Sequence, residues 1–302
     1  MQTVVLVCAA DNNYAIPLAA TICSVLKNLE DSRKLELFII DGGIEENNRI
    51  KITKSLSSSQ AKLQWLKPLN NILDKIDNPK FYYSKAIYYR LFIPELLSPY
   101  KKAIYLDSDV IVNEDIGKLW NIDMENKSIL AVRDLFPSPH LSSGFTKFLN
   151  QTDSKIEKTF NSGVLVMDLE KWRKDKVAVE TMEYVSKWNL HTDQEGLNIV
   201  FRNKWKEIDP RWNRTSGIYE YNSWENSPFS KEEFNKLLNE PYIIHFTSAA
   251  KPWNSINSCL DRTLFYRYLD MSAWSGWRFT QWKRLIQKLK RVKIKYMSKL
   301  HK

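Results

Sequence analysis

Apolar, β-branched runs alternate with helical stretches over the first 112 residues, and this alternation restricts the fold more than any other feature of the chain. "TVVLVCAAD" is continuously apolar, as a strand buried on both faces is. "YAIPLAATICSVLKNL" has helical spacing, "LELFIID" is a second strand, "EENNRIKITKSL" a helix and "AKLQWLKPL" a third strand. "SKAIYYRLFIPELL" has helical periodicity again, and "KAIYLDSDVIV" returns to strand. Strands alternating with helices predict an α/β fold with a parallel sheet and helices on both faces. Ligands of such sheets bind beyond the carboxyl ends of strands, at a topological switch. "ILAVRD", "FNSGVLVMDL" and "PYIIHFTS" read as later strands, with "EKWRKDKVAVETMEYVSKW" as one helix among them. The segments around 137–157 and 209–235, rich in Pro, Asn, Ser and Trp, read as long loops of the kind that form lids or binding loops.

The chain of 302 residues is long enough for one large domain or two smaller ones. No apolar run is long enough to span a bilayer. "MQTVVLVCAADNN" lacks a basic n-region, so it reads as a first core strand and the protein is expected to stay inside the cell. Cys8, Cys23 and Cys259 have neither metal spacing nor a disulfide pattern and read as buried, reduced thiols.

Acidic residues stand at the strand ends: Asp11 after the first, Asp41 after the second, Asp107 and Asp109 in the fourth. If "AIYLDSDVIV" is extended, Asp107 and Asp109 point to one face. Two carboxylates that close are costly unless a cation lies between them. The alternative is a turn whose side chains cap backbone amides. Both GxGxxG and GxxxxGK[ST] are absent. A nucleotide site here must hold phosphate by a metal and side chains, since the chain has only eight glycines.

"CAADNNYA", "AIYLDSDVIV", "FNSGVLVMDLEKWR", "HTDQEGLN" and "IHFTSAAKPW", in this order, resemble retaining glycosyltransferase family 8. That family includes bacterial lipopolysaccharide galactosyl- and glucosyltransferases and glycogenin. The resemblance covers roughly residues 3–255. It implies a single Rossmann-like domain of the GT-A type with a mostly parallel central sheet, here assigned to residues 1–277. It also implies a Mn²⁺ or Mg²⁺ ion on Asp107, Asp109 and His245, completed by the diphosphate of a UDP-sugar donor. Two carboxylates and an imidazole suit such an ion. Lys251 is similar to the family's diphosphate-binding lysine, while Ser248 stands where the family often has glycine. Asp11, Asn13 and Tyr14 match positions that read uracil and ribose, although Asp or Asn before an apolar helix is also an ordinary N-cap. The Ser108 backbone is assigned to the ribose. Arg90, Asp134, Asn161, Ser162, Asp193 and Gln194 match positions around the donor sugar, where carboxylate and amide groups read hydroxyls. Arg90 and Asp193 have plainer alternatives, a salt bridge and a helix cap.

Retention has two routes: attack from the face UDP leaves, or a covalent intermediate on Gln194 or Asp193. The first is preferred, because an amide is a poor nucleophile. The implied reaction moves galactose or glucose from UDP to a hydroxyl of a glycan or lipid-linked acceptor. Self-glucosylation as in glycogenin and a non-catalytic nucleotide- or membrane-binding protein are the alternatives. The donor epimer, the acceptor and the oligomeric state stay open.

The net charge of +10 is segregated. Residues 1–277 hold equal numbers of acidic and basic residues, and all the excess lies in the ten Lys and Arg from Arg278 onward. Trp282, Leu285, Ile286, Leu289, Val292, Tyr296 and Leu300 recur at helical steps opposite them. Residues 278–302 therefore read as a basic amphipathic helix on an anionic membrane, at its cytoplasmic face. Packing on the body is the alternative, and nucleic acid the less favoured partner.

Overall fold

The first strand, β1 (Gln2–Ala10), is buried from Val4 onward, and its side chains part to opposite sides. Val4, Leu6, Cys8 and Ala10 join one apolar cluster, Val5, Val7 and Ala9 another. The sheet is therefore covered on both faces, as its unbroken apolar strands require. The helix α1 (Ala15–Asn28) contributes Leu18, Ile22 and Val25 to the first cluster. Trp172, Val185 and Leu197, from helices Leu169–Lys174, Val177–Trp188 and Asp193–Phe201, close the second.

This computed structural model describes residues 2–56, 59–69, 85–135, 142–152, 156–202, 204–256, 260–283 and 285. The remaining strands are β2 (Arg33–Asp41), β3 (Ala61–Leu66), β4 (Lys102–Asp107), β5 (Val110–Val112), β6 (Ile129–Arg133), β7 (Phe160–Asp168), β8 (Lys206–Glu207), β9 (Arg214–Thr215) and β10 (Ile243–His245). Seven form one sheet in the order β3-β2-β1-β4-β7-β6-β8. β1 pairs in parallel with β2 and β4, β2 with β3, and β6 with β8, while β7 is antiparallel to both β4 and β6. The mostly parallel α/β architecture expected from the sequence is present.

"KAIYLDSDVIV" is not one strand. β4 ends at Asp107, a turn takes Ser108 and Asp109, and β5 joins a separate three-stranded sheet, β5-β10-β9. β10 satisfies one edge of β5. The other edge is satisfied by α1, as buried peptide groups demand. Thr21 Oγ1 donates to the Val110 and Ser108 carbonyls at 2.7 and 3.2 Å. Ser24 Oγ accepts from Val112 N at 2.9 Å, and Asn28 Nδ2 donates to Val112 O at 2.8 Å.

Three other expectations change. Lys85–Phe92 is 3₁₀ and yields to a short α-helix at Ile93–Leu96, where Pro94 fits the first turn. The single helix expected over 170–188 breaks at Lys176, whose φ of 51° is left-handed. The two long loops are partly ordered secondary structure: helix Ser143–Thr152 lies in the first; β9, 3₁₀ turns and the start of helix Lys231–Asn239 lie in the second. That last helix opens on a capping box between Ser230 and Glu233.

Cys8 and Cys23 are buried and unpaired, and burial pushes both thiols up, Cys23 to about 11. Cys259 lies outside the described residues. Among the described residues no helix is long and apolar enough to cross a membrane. At the start of the basic tail, Arg278 forms two hydrogen bonds to Asp270, at 2.8 and 2.6 Å, and Phe279 is buried. Trp282 is 76% exposed and Leu285 47%. Ile286, Leu289, Val292, Tyr296 and Leu300 of the apolar stripe lie outside the described residues.

Candidate active site

β1 and β4 are neighbours, yet the chain reaches β4 only after β2 and β3 have been laid on the other side of β1. Strand order reverses between them, and a crevice opens at their carboxyl ends. A cavity of about 210 Å³ occupies it, with Asp11, Tyr14, Arg90, Asp107 and Asp109 in its lining. Asp11 and the two later aspartates thus converge as expected. Asp41 serves a turn instead: its Oδ1 accepts from Gly43 N and Ile44 N at 3.0 and 2.7 Å.

The turn at Ser108–Asp109 keeps the two carboxylates together although the strand does not continue. Asp107, Asp109 and His245 each offer one donor atom, and these lie within 4.8 Å of one another. His245 pairs with Val110 in register, which sets the imidazole beside Asp109. Its Nε2 is 3.2 Å from Asp109 Oδ1 and 3.6 Å from Asp107 Oδ2. Gly163 makes room: a Cβ there would lie 2.2 Å from His245 Cε1 and 2.7 Å from Asp107 Oδ2. Two carboxylates and one imidazole nitrogen are a fitting donor set for Mn²⁺ or Mg²⁺.

Fixed cations flank this cluster. Lys251 Nζ is bonded to Asp109 Oδ2 and donates to the Phe246 carbonyl at 2.6 Å. Its side chain is only 13% exposed, so it is a held cation rather than a solvated one. Burial raises the Asp109 carboxyl, but Lys251 and His245 outweigh it and hold the group well below the usual range. Arg90 is buried between two acids, with Nη2 3.2 Å from Asp107 Oδ1 and Nε 2.9 Å from Asp193 Oδ2. Its Nη1 donates to Ser162 O at 2.6 Å, and its guanidinium lies 4.7 Å from the Tyr105 ring centre. Tyr105 in turn donates to Asp107 Oδ1 at 2.7 Å. Three carboxylates here face two fixed cations, which favours a further positive charge.

The family model for glycosyl transferase family 8 matches residues 5–257. The chain is a member of glycosyltransferase family 8. General stress protein A of Bacillus subtilis (strain 168) is 31% identical to it over 278 residues, 89% of this chain and 94% of that protein. Glycosyltransferase GlyF of Streptococcus pneumoniae serotype 4 (strain ATCC BAA-334 / TIGR4) is 30% identical over 275 residues, which span 62% of GlyF's length. Among solved structures, the galactosyltransferase LgtC in complex with donor and acceptor sugar analogs superposes with a TM-score of 0.72 at 25% identity, covering 88% of this chain and 95% of LgtC. The bifunctional glycosyltransferase WbbM has the same fold, with a TM-score of 0.76 at 22% identity over 91% of this chain and 50% of WbbM. The family 8 chain therefore has the GT-A fold and is a glycosyltransferase.

The other expected site residues of this family 8 chain fall into two groups. Gln194 is fixed at both ends of its amide: Nε2 donates to Asp134 Oδ2 at 2.8 Å, and Oε1 accepts from Ser162 N at 2.9 Å. Asn161 Oδ1 accepts from Gly163 N at 3.0 Å and from Asn213 Nδ2 at 2.9 Å. Through Ser162, Gln194 joins the Arg90 network, whereas Asn161 turns toward Asn213 and His245. The residues expected at a nucleotide make fewer such contacts with one another. Asp11 does cap the turn before α1, accepting from Asn13 N and Tyr14 N at 2.9 and 3.3 Å. Asn13 is exposed, and Tyr14 meets Trp253 edge-on at 6.2 Å. Ser108 is buried with its hydroxyl on Ala9 O, 3.1 Å away, tying β4 to β1. Ser248 donates to Ala250 O at 2.8 Å and lines a second cavity beyond His245. Sequence reasoning missed Tyr105, Gly163 and Asn213. Tyr105 was within reach of the two-residue strand period that grouped the aspartates, and Gly163 lies in "FNSG". Asn213 had no local signal.

Asp193 gives the site a pH signature. Burial raises its carboxyl from 3.8 to about 6, against the opposing pull of Arg90. An acid with a raised folded-state pKa contributes stability that is full below its unfolded value and lost as pH rises through the folded one. Wild-type protein is therefore expected to lose on the order of 2 kcal/mol relative to Asp193→Asn as pH rises from about 4 to about 7. Urea unfolding of both proteins across that range measures it; parallel curves would contradict the assignment.

Proposed function

We propose that this glycosyltransferase moves a hexose, galactose or glucose, from a UDP-sugar to a hydroxyl of a glycan or lipid-linked acceptor, with retention and with Mn²⁺ or Mg²⁺. The observation that carries the reading is the convergence of Asp107, Asp109 and His245 donor atoms, within 4.8 Å, at the mouth of the switch-point crevice. A divalent cation there supplies Lewis-acid neutralisation of the leaving diphosphate.

The chain's own residues do the rest. Lys251 is placed to shift from Asp109 to the diphosphate and stabilise its developing charge. Tyr14 and Asp11 border the nucleotide end of the cavity. Arg90 holds Asp107 and Asp193 in fixed orientations. Gln194 and Asp134 are joined by a hydrogen bond at the sugar end. The Gln194 oxygen is occupied by the Ser162 N–H, and Asp193 is buried on Arg90, so neither is disposed to act as a nucleophile. This supports the same-face route. The sugar–diphosphate bond breaks, the acceptor oxygen bonds the anomeric carbon, and its proton passes to the departing diphosphate.

Purified protein incubated with UDP-glucose or UDP-galactose, with and without Mn²⁺, tests this reading. Metal-dependent release of UDP from one donor is expected, followed by an α-linkage in the product's NMR spectrum. No metal-dependent turnover of either donor would contradict it. The exposed Trp282 and Leu285 support a tail that lies on an anionic membrane. Removing residues 278–302 is then expected to abolish co-sedimentation with anionic liposomes, and undiminished binding would rule the tail out.

A further inference from the structure

Outside the groups assigned above, one buried side chain bonds directly to the imidazole of His245. We propose that Asn213 is a positioning residue that fixes which nitrogen of His245 faces the cation, an inference that rests on the metal reading of this site. Asn213 is 2% exposed and His245 5%. Asn213 Oδ1 lies 3.0 Å from His245 Nδ1, while Asn213 Nδ2 donates to Asn161 Oδ1 at 2.9 Å.

The direction of these bonds is set by a group that cannot turn. The Gly163 backbone N–H can only donate, and it is 3.0 Å from the side-chain oxygen of Asn161. That end of Asn161 is therefore the carbonyl, so Asn213 must present its NH₂ to it. Asn213 then presents its own carbonyl to His245, and Nδ1 must carry the proton. Nε2, the nitrogen near Asp107 and Asp109, is left as the one whose lone pair a cation takes, in exchange for any proton it shares with Asp109. A ligating histidine whose other nitrogen donates to a fixed acceptor is held in tautomer and in ring orientation.

The relay also crosses the two sheets. Asn161 is on β7 of the large sheet. Asn213 directly precedes β9, which pairs in parallel with β10 and sets Thr215 beside His245. Gly163 serves the relay twice, as its fixed donor and as the residue whose missing side chain admits the imidazole. Displacing Asn213 would thus uncouple His245 from the strand that carries the sugar-end residues Asn161 and Ser162.

The test compares Asn213→Leu, which removes the acceptor, with Asn213→Asp, which keeps the acceptor toward His245 and loses only the donor to Asn161. Mn²⁺ affinity is measured by electron paramagnetic resonance, and histidine tautomers by nitrogen-15 NMR on the metal-free full chain. The chain has only four histidines, so His245 can be assigned by substitution. The leucine variant is expected to lose about 10- to 100-fold in Mn²⁺ affinity, and the aspartate variant to stay within a few-fold of wild type. In wild type, Nδ1 of His245 is expected to be protonated, with or without a second proton on Nε2 toward Asp109. Mn²⁺ binding by the leucine variant equal to wild type, or a wild-type proton on Nε2 alone, would overturn the proposal. If wild type takes up no Mn²⁺, the metal reading fails by itself, while the nitrogen-15 spectrum still decides whether Asn213 sets the tautomer. The same spectrum of wild type decides it if the leucine variant does not fold.

Discussion

Asp109→Asn is expected to abolish metal-dependent sugar transfer, by at least about 10³-fold in kcat/KM, while leaving the protein folded. The loss is large because the substitution removes both a proposed cation ligand and the negative charge that gathers Lys251 and His245 around one point. Asn has nearly the same shape, so the turn after β4 has no steric reason to change. The Asp109 backbone carbonyl, which accepts from Phe246 N at 3.1 Å, also stays in place. The fold should therefore persist, and circular dichroism together with Mn²⁺-dependent release of UDP separates the two effects. Full turnover by a folded Asn variant would mean that the chemistry lies elsewhere.

The second large effect is expected at Arg90, and it falls on stability as well as rate. Arg90→Met leaves Asp107 and Asp193 facing each other's charge with no guanidinium between them. Breaking a buried ion pair by removing one partner costs about 3–5 kcal/mol. Asp193 already has a raised carboxyl, so without Arg90 it takes up a proton still more readily. The sign follows: the deficit against wild type should shrink as pH falls, since a protonated Asp193 no longer needs a counterion. Arg90→Lys should be intermediate, because an ammonium cannot reach two carboxylates and the Ser162 carbonyl with the spacing of a guanidinium fork. Denaturant unfolding at about pH 5 and about pH 7.5 measures all of this. A Met variant as stable as wild type at both values would show that the Arg90 network is not the frame of the site.

The parts of this fold that local pattern could reach are those built from neighbours in sequence. β1, α1 and β2 follow one another in the chain and pack together, so their apolar periods reported them faithfully. Asp11, Asp107 and Asp109 converge because the ends of adjacent parallel strands share one edge, which the α/β pattern implies. The break between β4 and β5 was not legible in that way. β5 leaves the large sheet for a partner, β10, that lies more than a hundred residues further on, and α1 side chains rather than another strand cover its free edge. An apolar run reads as strand on either side of such a break. Asn213 was hidden for the same reason: its neighbours in the relay, Asn161 and His245, are remote in sequence, and a single Asn in a polar segment has no period. Lys251 lay between these cases, since the resemblance implied a role for it, whereas only the structure shows its contact with Asp109.

Anomalous diffraction from crystals grown with Mn²⁺ and UDP tests the central claim most directly. One manganese peak bounded by Asp107, Asp109 and His245 is expected, with Lys251 moved from Asp109 to the diphosphate. Ordered UDP in the crevice with no manganese between those three side chains would contradict it.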